Sequence, residues 1–210
     1  MKIKICGMKY PDNIQEVAKL QPDYMGFIFY KRSKRNFDGN IPEIHKRIYK
    51  TGVFVNADRS FVLEKIKEYN LNAVQLHGEE SVRYCKELNQ ENKENDPLEI
   101  IKVFAVGESF DFSVLNSYEP VCDYFLFDTK GKEKGGNGVA FNWKLLENYP
   151  GQKPYFLSGG IGLENIESLK EFLDSAYSKY CFAVDVNSKF EDKPGNKNID
   201  ELKKFIQFLK

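Results

Sequence analysis

A cysteine, Cys6, closes the alternating run KIKIC and stands directly before Gly7; an aspartate, Asp128, closes the apolar run DYFLFD. Both residue types can exchange protons, a cysteine through its thiolate and an aspartate through its carboxyl. Both need an environment that shifts them. A thiol works as a base only below its ordinary pKa of about 8.5 or as a minor thiolate species, and an aspartate works as an acid only where a dry site or neighbouring charge keeps it protonated. Lys4 lies two residues before Cys6, so on a strand the two side chains share one face. An unpaired ammonium on an inward face is costly. Lys4 therefore calls for a nearby carboxylate or for a role in lowering the thiol pKa.

Other chemistry-bearing residues gather at the ends of similar runs. Gln75 and His77 close QLHG, Ser158, Gly159 and Gly160 lie in LSGGIGLENI, and Asp185, Asn187 and Ser188 close and follow CFAVDV. Bare N–H groups of paired glycines ahead of a helix suit an anion such as a phosphate; the plainer reading is a tight turn. Arg35 lies in KRSKRNF, where its guanidinium fork suits a ligand carboxylate and where a basic loop cluster is otherwise simply solvated. GKEKGGNG (131–138) reads equally as a loop that closes over a substrate and as plain surface.

Positioning these groups falls to a rhythm of short β-rich runs and amphipathic helical patterns. The runs are IKICG (3–7), YMGFIF (24–29), TGVFVN (51–56), AVQLH (73–77), IIKVFAV (100–106), DYFLFD (123–128), PYFLSG (154–159) and CFAVDV (181–186). Several are almost continuously apolar, as in strands covered on both faces. Between them NIQEVAKL, EIHKRIYK, FVLEKIKEYN, EESVRYCKELNQ, LENIESLKEFL and NIDELKKFIQFL place apolar residues at helical spacing. FDFSVLNSY (110–118) and FNWKLLENY (141–149) are brief for helices. Such alternation predicts a parallel sheet, and eight units close most economically as a single-domain α/β fold, a (β/α)8 TIM barrel, over residues 1–210. The typical barrel has about 250 residues, but the loops here are short. The rival, an open doubly wound sheet, lacks a G-x-G-x-x-G after the first strand. In a barrel, chemistry sits at the C-terminal strand ends, and the residues above fall there.

The charge balance narrows the partners. Lys plus Arg number 31 and Asp plus Glu number 31, so no long-range field draws in nucleic acid or an anionic membrane. No run approaches the roughly 20 apolar residues that span a bilayer, and Gly7 and Pro11 interrupt the N-terminus before a signal-peptide core could form. The expected compartment is the cytoplasm, with reduced thiols. Cys6, Cys85, Cys122 and Cys181 have no C-x-x-C spacing, so no metal site is expected, and the last three read as small apolar core residues.

KICGM, GFIFYKRSKRNF, GVFVN, VQLHG, FLFDTK, LSGGI and VDVNSKFE…PGNK occur in that order along essentially the whole chain. In order and spacing they resemble the phosphoribosylanthranilate isomerase family of tryptophan biosynthesis. The resemblance implies a (β/α)8 barrel that performs an Amadori rearrangement of N-(5-phosphoribosyl)anthranilate to 1-(2-carboxyphenylamino)-1-deoxyribulose 5-phosphate, with no metal and no organic cofactor. By matching motif it implies Cys6 as general base, Asp128 as general acid, Arg35 on the anthranilate carboxylate, and the Gly159–Gly160 and Ser188 loops on the phosphate. Lys4, Gln75, His77 and Asp185 complete the expected substrate site, with Ser158 and Asn187 beside the phosphate. The expected partner is this small phosphorylated substrate, with no nucleic acid and no membrane, in a monomer or homodimer. Asn137 and Asn142 stand where the family usually has Thr and Asp, and Lys189 where a Gly usually follows the serine. Two other readings compete. One is another phosphosugar barrel, an epimerase or the histidine-pathway isomerase, which has an aspartate at the position of Cys6. The other is a non-catalytic barrel that binds a phosphorylated metabolite.

Overall fold

The computed structural model describes residues 1–92, 98–129 and 142–209. Strands β1 (Lys2–Ile5), β2 (Tyr24–Ile28), β3 (Tyr49–Phe54), β4 (Ala73–Leu76), β5 (Glu99–Val106), β6 (Tyr124–Thr129), β7 (Tyr155–Leu157) and β8 (Cys181–Val186) pair in chain order, all parallel, and β8 closes on β1. This is the (β/α)8 barrel that the alternation predicts. Helices α1 (Pro11–Lys19), α2 (Arg59–Tyr69), α3 (Val82–Asn92), α4 (Ile166–Leu173) and α5 (Ile199–Leu209) cover its outside. Their ends follow local chemistry. Pro11 opens α1 at a position whose N–H is not needed, and Asn70 ends α2 in the left-handed conformation that asparagine tolerates. No helix among the described residues is long and apolar enough to cross a membrane.

The structure differs from the periodicity in several places. EIHKRIYK forms no helix, and its last two residues already belong to β3. The spacing of Ile41, Ile44 and Ile48 is real, but it serves an irregular segment whose isoleucines pack on the core without helical hydrogen bonding. Phe37, just before this segment, is buried. It packs on Phe27, Phe29 and Tyr69 with ring centroids 5.0, 6.0 and 5.6 Å apart. FDFSVLNSY and FNWKLLENY form only 3-10 turns, at Phe112–Ser117 and Trp143–Asn148. A two-stranded hairpin, β9 (Glu191–Lys193) with β10 (Asn196–Lys197), follows β8. Its residues are mostly charged and carry no apolar alternation, so the pattern gave no sign of it.

The barrel interior is layered. Tyr24, Ala73, Ile101, Val103, Leu126, Phe156 and Ala183 form an apolar cluster of their own, separate from the larger one between sheet and helices. Inward residues one step nearer the C-terminal ends are polar and still buried: Lys4, Gln75, Asp128 and Asp185. The apolar layer is thus a floor, and the polar layer above it meets the loops.

Candidate active site

The pairing of β1 with β8 runs one residue past the strand. The Cys6 N–H donates to the Val186 carbonyl at 2.9 Å, which fixes the thiol at the pocket wall. Cys6 is nonetheless only 3% exposed, so the rim position read from the sequence is a covered one. Its sulfur lies over Gly26 of β2, where an added Cβ would stand 2.6 Å from Sγ. Burial pushes the thiol up from its ordinary range; Lys4 pulls the other way, Asp185 adds to the rise, and Lys197 opposes it.

Asp128 enters from β6. Its Oδ1 accepts the Thr129 N–H at 2.9 Å, and its Oδ2 lies 3.3 Å from Nε2 of His77. Gln75 Nε2 sits 3.0 Å from Nδ1 of the same ring. With Gln75 donating to Nδ1, the imidazole proton is on Nε2, the nitrogen nearer Asp128. Gln75, His77 and Asp128 therefore stand in line across β4 and β6, the first two joined by a hydrogen bond and the last two in contact at 3.3 Å. Cys6 and Asp128 line the same pocket, of about 800 Å³ including its open mouth, together with Arg35 and the loops after β7 and β8.

Lys4 differs from the expectation of a substrate contact. It is fully buried and absent from the pocket wall. Its Nζ donates to Asp185 Oδ1 at 2.8 Å, and the two are register neighbours on β1 and β8. Burial works against the Lys4 ammonium, but Asp185 and the neighbouring Cys6 outweigh it, so its pKa is held above the usual lysine value. Both explanations raised by the sequence thus apply at once: Lys4 has its carboxylate, and it favours the Cys6 thiolate without overcoming the cost of burial. Asp185 does reach the wall, where Ser158 Oγ lies 3.4 Å from its Oδ2.

Ser158, Gly159, Gly160, Asn187 and Ser188 all line the pocket, so the loops after β7 and β8 form one continuous face. Gly159 has φ +92°, and a Cβ there would come within 2.2 Å of Thr129 Oγ1 and 3.0 Å of Asp128 Oδ1. Gly159 therefore sits in a tight turn that brings the loop up against Asp128. Lys189 also lines the pocket, and its Nζ pairs with Glu164 Oε1 at 2.5 Å. Asn142 accepts the Lys144 N–H at 3.1 Å and caps the turn at Trp143–Asn148, a task an aspartate would also perform. Asn137 and the 131–138 loop lie outside the described residues.

Arg35 reaches the wall but is not free. Its Nε donates to both oxygens of Glu191, at 2.9 and 3.0 Å, and its Nη2 to Oε2 at 2.7 Å. Lys197 Nζ donates to Glu191 Oε1 at 2.7 Å and to Asn187 Oδ1 at 2.8 Å. Glu191 and Lys197 are not among the site residues the sequence points to. The only sequence signal is that both fall within the VDVNSKFE…PGNK stretch; nothing in its spacing points to Arg35.

A closed parallel barrel with a thiol and a carboxyl in one pocket at its C-terminal mouth, beside glycine loops suited to a phosphate, defines an acid–base enzyme of the (β/α)8 class. The profile of the N-(5'-phosphoribosyl)anthranilate (PRA) isomerase family matches residues 3–208. An N-(5'-phosphoribosyl)anthranilate isomerase of Parabacteroides distasonis is 42% identical over 214 residues, covering 99% of this chain and 92% of its own. Among solved structures, the phosphoribosyl anthranilate isomerase of Thermotoga maritima superposes with a TM-score of 0.82 at 30% identity, covering 99% of this chain and 98% of its own. A phosphoribosyl anthranilate isomerase in complex with reduced 1-(o-carboxyphenylamino)-1-deoxyribulose 5-phosphate gives 0.78, also at 30% identity, with coverages of 99% and 97%. This chain belongs to the N-(5'-phosphoribosyl)anthranilate isomerase family.

Proposed function

We propose that the chain isomerises N-(5-phosphoribosyl)anthranilate to 1-(2-carboxyphenylamino)-1-deoxyribulose 5-phosphate in tryptophan biosynthesis, with Asp128 as general acid and Cys6 as general base. The observation that carries the roles is the shared pocket into which β1 and β6 bring a thiol and a carboxyl, in a chain that matches the family from residue 3 to residue 208.

The chemistry follows from the residues. Asp128 gives its proton to the furanose ring oxygen, the bond from that oxygen to the anomeric carbon breaks, and the anthranilate nitrogen becomes an iminium. The Cys6 thiolate then takes the proton from the ribose C2 carbon, and the electron pair left behind flows to nitrogen as an enolamine, which tautomerises to the keto product. Cys6 ends with one proton more and Asp128 with one fewer, so the cycle closes when that proton is returned. His77, beside Asp128, holds the carboxyl in place and is within reach to relay it. The Gly159–Gly160 turn and Ser188 hold the phosphate, with Ser158 and Asn187 at their flanks, and Arg35 meets the anthranilate carboxylate. Lys4 and Asp185 act from beneath, through the thiol and Ser158.

No step calls on a metal or an organic cofactor. Purified protein is expected to consume the fluorescent anthranilate conjugate at an unchanged rate in the presence of a chelator. Absence of turnover would overturn the proposed function; turnover of a histidine-pathway intermediate instead would favour the competing phosphosugar reading.

A further inference from the structure

Glu191 and Lys197 have no part in the acid–base scheme, yet they are buried charges that stand behind Arg35, which does line the pocket. The side chains of Glu191 and Lys197 are 4% and 0% exposed and that of Arg35 is 16% exposed. A guanidinium is a planar fork of five N–H donors with two edges that can each grip a carboxylate. Glu191 occupies the edge made by Nε and Nη2. The edge made by Nη1 and the outer proton of Nη2 remains, on a side chain that lines the pocket.

Charge points the same way. One carboxylate, Glu191, is shared by two cations, since Lys197 Nζ takes the Oε1 that Arg35 also uses. With both cations protonated the cluster carries one positive charge in excess. Burial, with Arg35 adding to it, pushes Lys197 down to about 8, while Glu191 pulls it up. Asn187 accepts from Lys197 and also lies on the pocket wall, so the cluster adjoins the loop after β8.

We propose that Glu191 is the positioning residue for the substrate's carboxylate: it holds the inner edge of Arg35 so that the outer edge is set, before binding, to receive one carboxylate attached to the aromatic ring. This rests on the reading in which Arg35 meets the anthranilate carboxylate. A long arginine held in this way loses little freedom when the ligand arrives, and an arriving monoanion balances the excess charge. Glu191 thereby sets specificity for a carboxylated arylamine over a neutral one.

The test compares N-(5-phosphoribosyl)anthranilate with N-(5-phosphoribosyl)aniline, which lacks the carboxylate. The unaltered chain is expected to prefer the first strongly in kcat/KM. Glu191→Gln keeps the size but loses the charge and one acceptor, and the preference is expected to fall by about 10- to 100-fold, the scale of a charge-assisted hydrogen bond, chiefly through KM for the carboxylated compound. A purely structural role, stitching β9 to β10, would lower turnover of both compounds together. If Glu191→Gln does not fold, Glu191→Asp decides: it keeps a charge for Lys197 but is one methylene too short to grip Arg35, and it should lose the preference as well. A preference unchanged in a folded variant, or equal losses on both compounds, overturns the inference. Absence of turnover of either compound by the unaltered chain instead overturns the functional reading beneath it.

Discussion

Lys4 and Lys102 are both buried lysines paired with a carboxylate, and they do different things. Lys102, on β5, donates to Glu80 Oε2 at 3.2 Å and to the carbonyls of Leu76, Gly78 and Val103 at 3.2, 2.8 and 3.1 Å. Glu80 in turn accepts the N–H groups of Asn56 and Gly78 at 2.8 and 2.9 Å. The pair is a pin that fastens the loops after β3 and β4 to β5, and every acceptor around it is satisfied from within the scaffold. Lys4 has Asp185, at 2.8 Å, and next to it Cys6, whose thiolate its charge favours. Burial and pairing are alike in the two cases. What separates them is where the neighbouring thiol lies: Cys85, whose thiolate Lys102 favours, is off the pocket wall, whereas Cys6 lies on it.

That contrast can be broken most severely at the neighbour. Cys6→Ser replaces the proposed base with a far weaker acid, and Asp128→Ala removes the proposed acid; each is expected to lower kcat by about 10²- to 10⁴-fold in a folded protein, read from the fluorescence assay. Full activity in both would leave Lys4 no different from Lys102.

The lysines themselves come next. Lys102→Met leaves Glu80 buried and uncompensated, and denaturant titration should show a loss of about 3–5 kcal/mol, with the pH profile of kcat/KM unmoved in whatever remains folded. Lys4→Met should also destabilise, but in addition it withdraws the cation beside the thiol, and kcat/KM at neutral pH should fall by about 10-fold for each unit the thiol pKa rises. If the two variants behave alike in both measurements, the distinction between them is lost.

The third prediction concerns sign. Because burial raises the Cys6 pKa, the thiolate is a minor species at neutral pH, and kcat/KM should climb with pH by nearly 10-fold per unit until it approaches that pKa. This alkaline rise should move further up in Lys4→Met and stay in place in Lys102→Met. A profile already flat from neutral pH upward would mean that the site favours thiolate more than its burial allows.

The smallest effect belongs to Gly26. A methyl group there would stand 2.6 Å from Sγ and 3.1 Å from the Cys6 Cα, so Gly26→Ala must displace the thiol slightly. A loss of about 10-fold in kcat is expected, since misplacement by about 1 Å costs up to about 100-fold. An unaffected kcat would show that the position of the sulfur over β2 is not part of its function.

Much of this was legible in the chain. Strand and helix patterns are local, with a period of two or 3.6, so the eight strands and the C-terminal placement of Cys6, Asp128, Gln75, His77 and Asp185 could be read without coordinates. The apolar spacing of EIHKRIYK satisfies a packed loop as well as a helix, and Phe37, outside that window, packs on Phe27 and Tyr69. The β9–β10 hairpin was invisible because its strands are held by charges rather than by an apolar face.

What the sequence determined by itself was the succession of elements and the end of each strand at which reactive side chains appear, because those depend on neighbours a few residues away. Tertiary structure alone decided which charges meet: Lys4 with Asp185 across 181 residues, Arg35 with Glu191 across 156. Closing the barrel brings the first strand against the last, and only then does a carboxylate acquire its cation, a thiol its burial, and a pocket its wall.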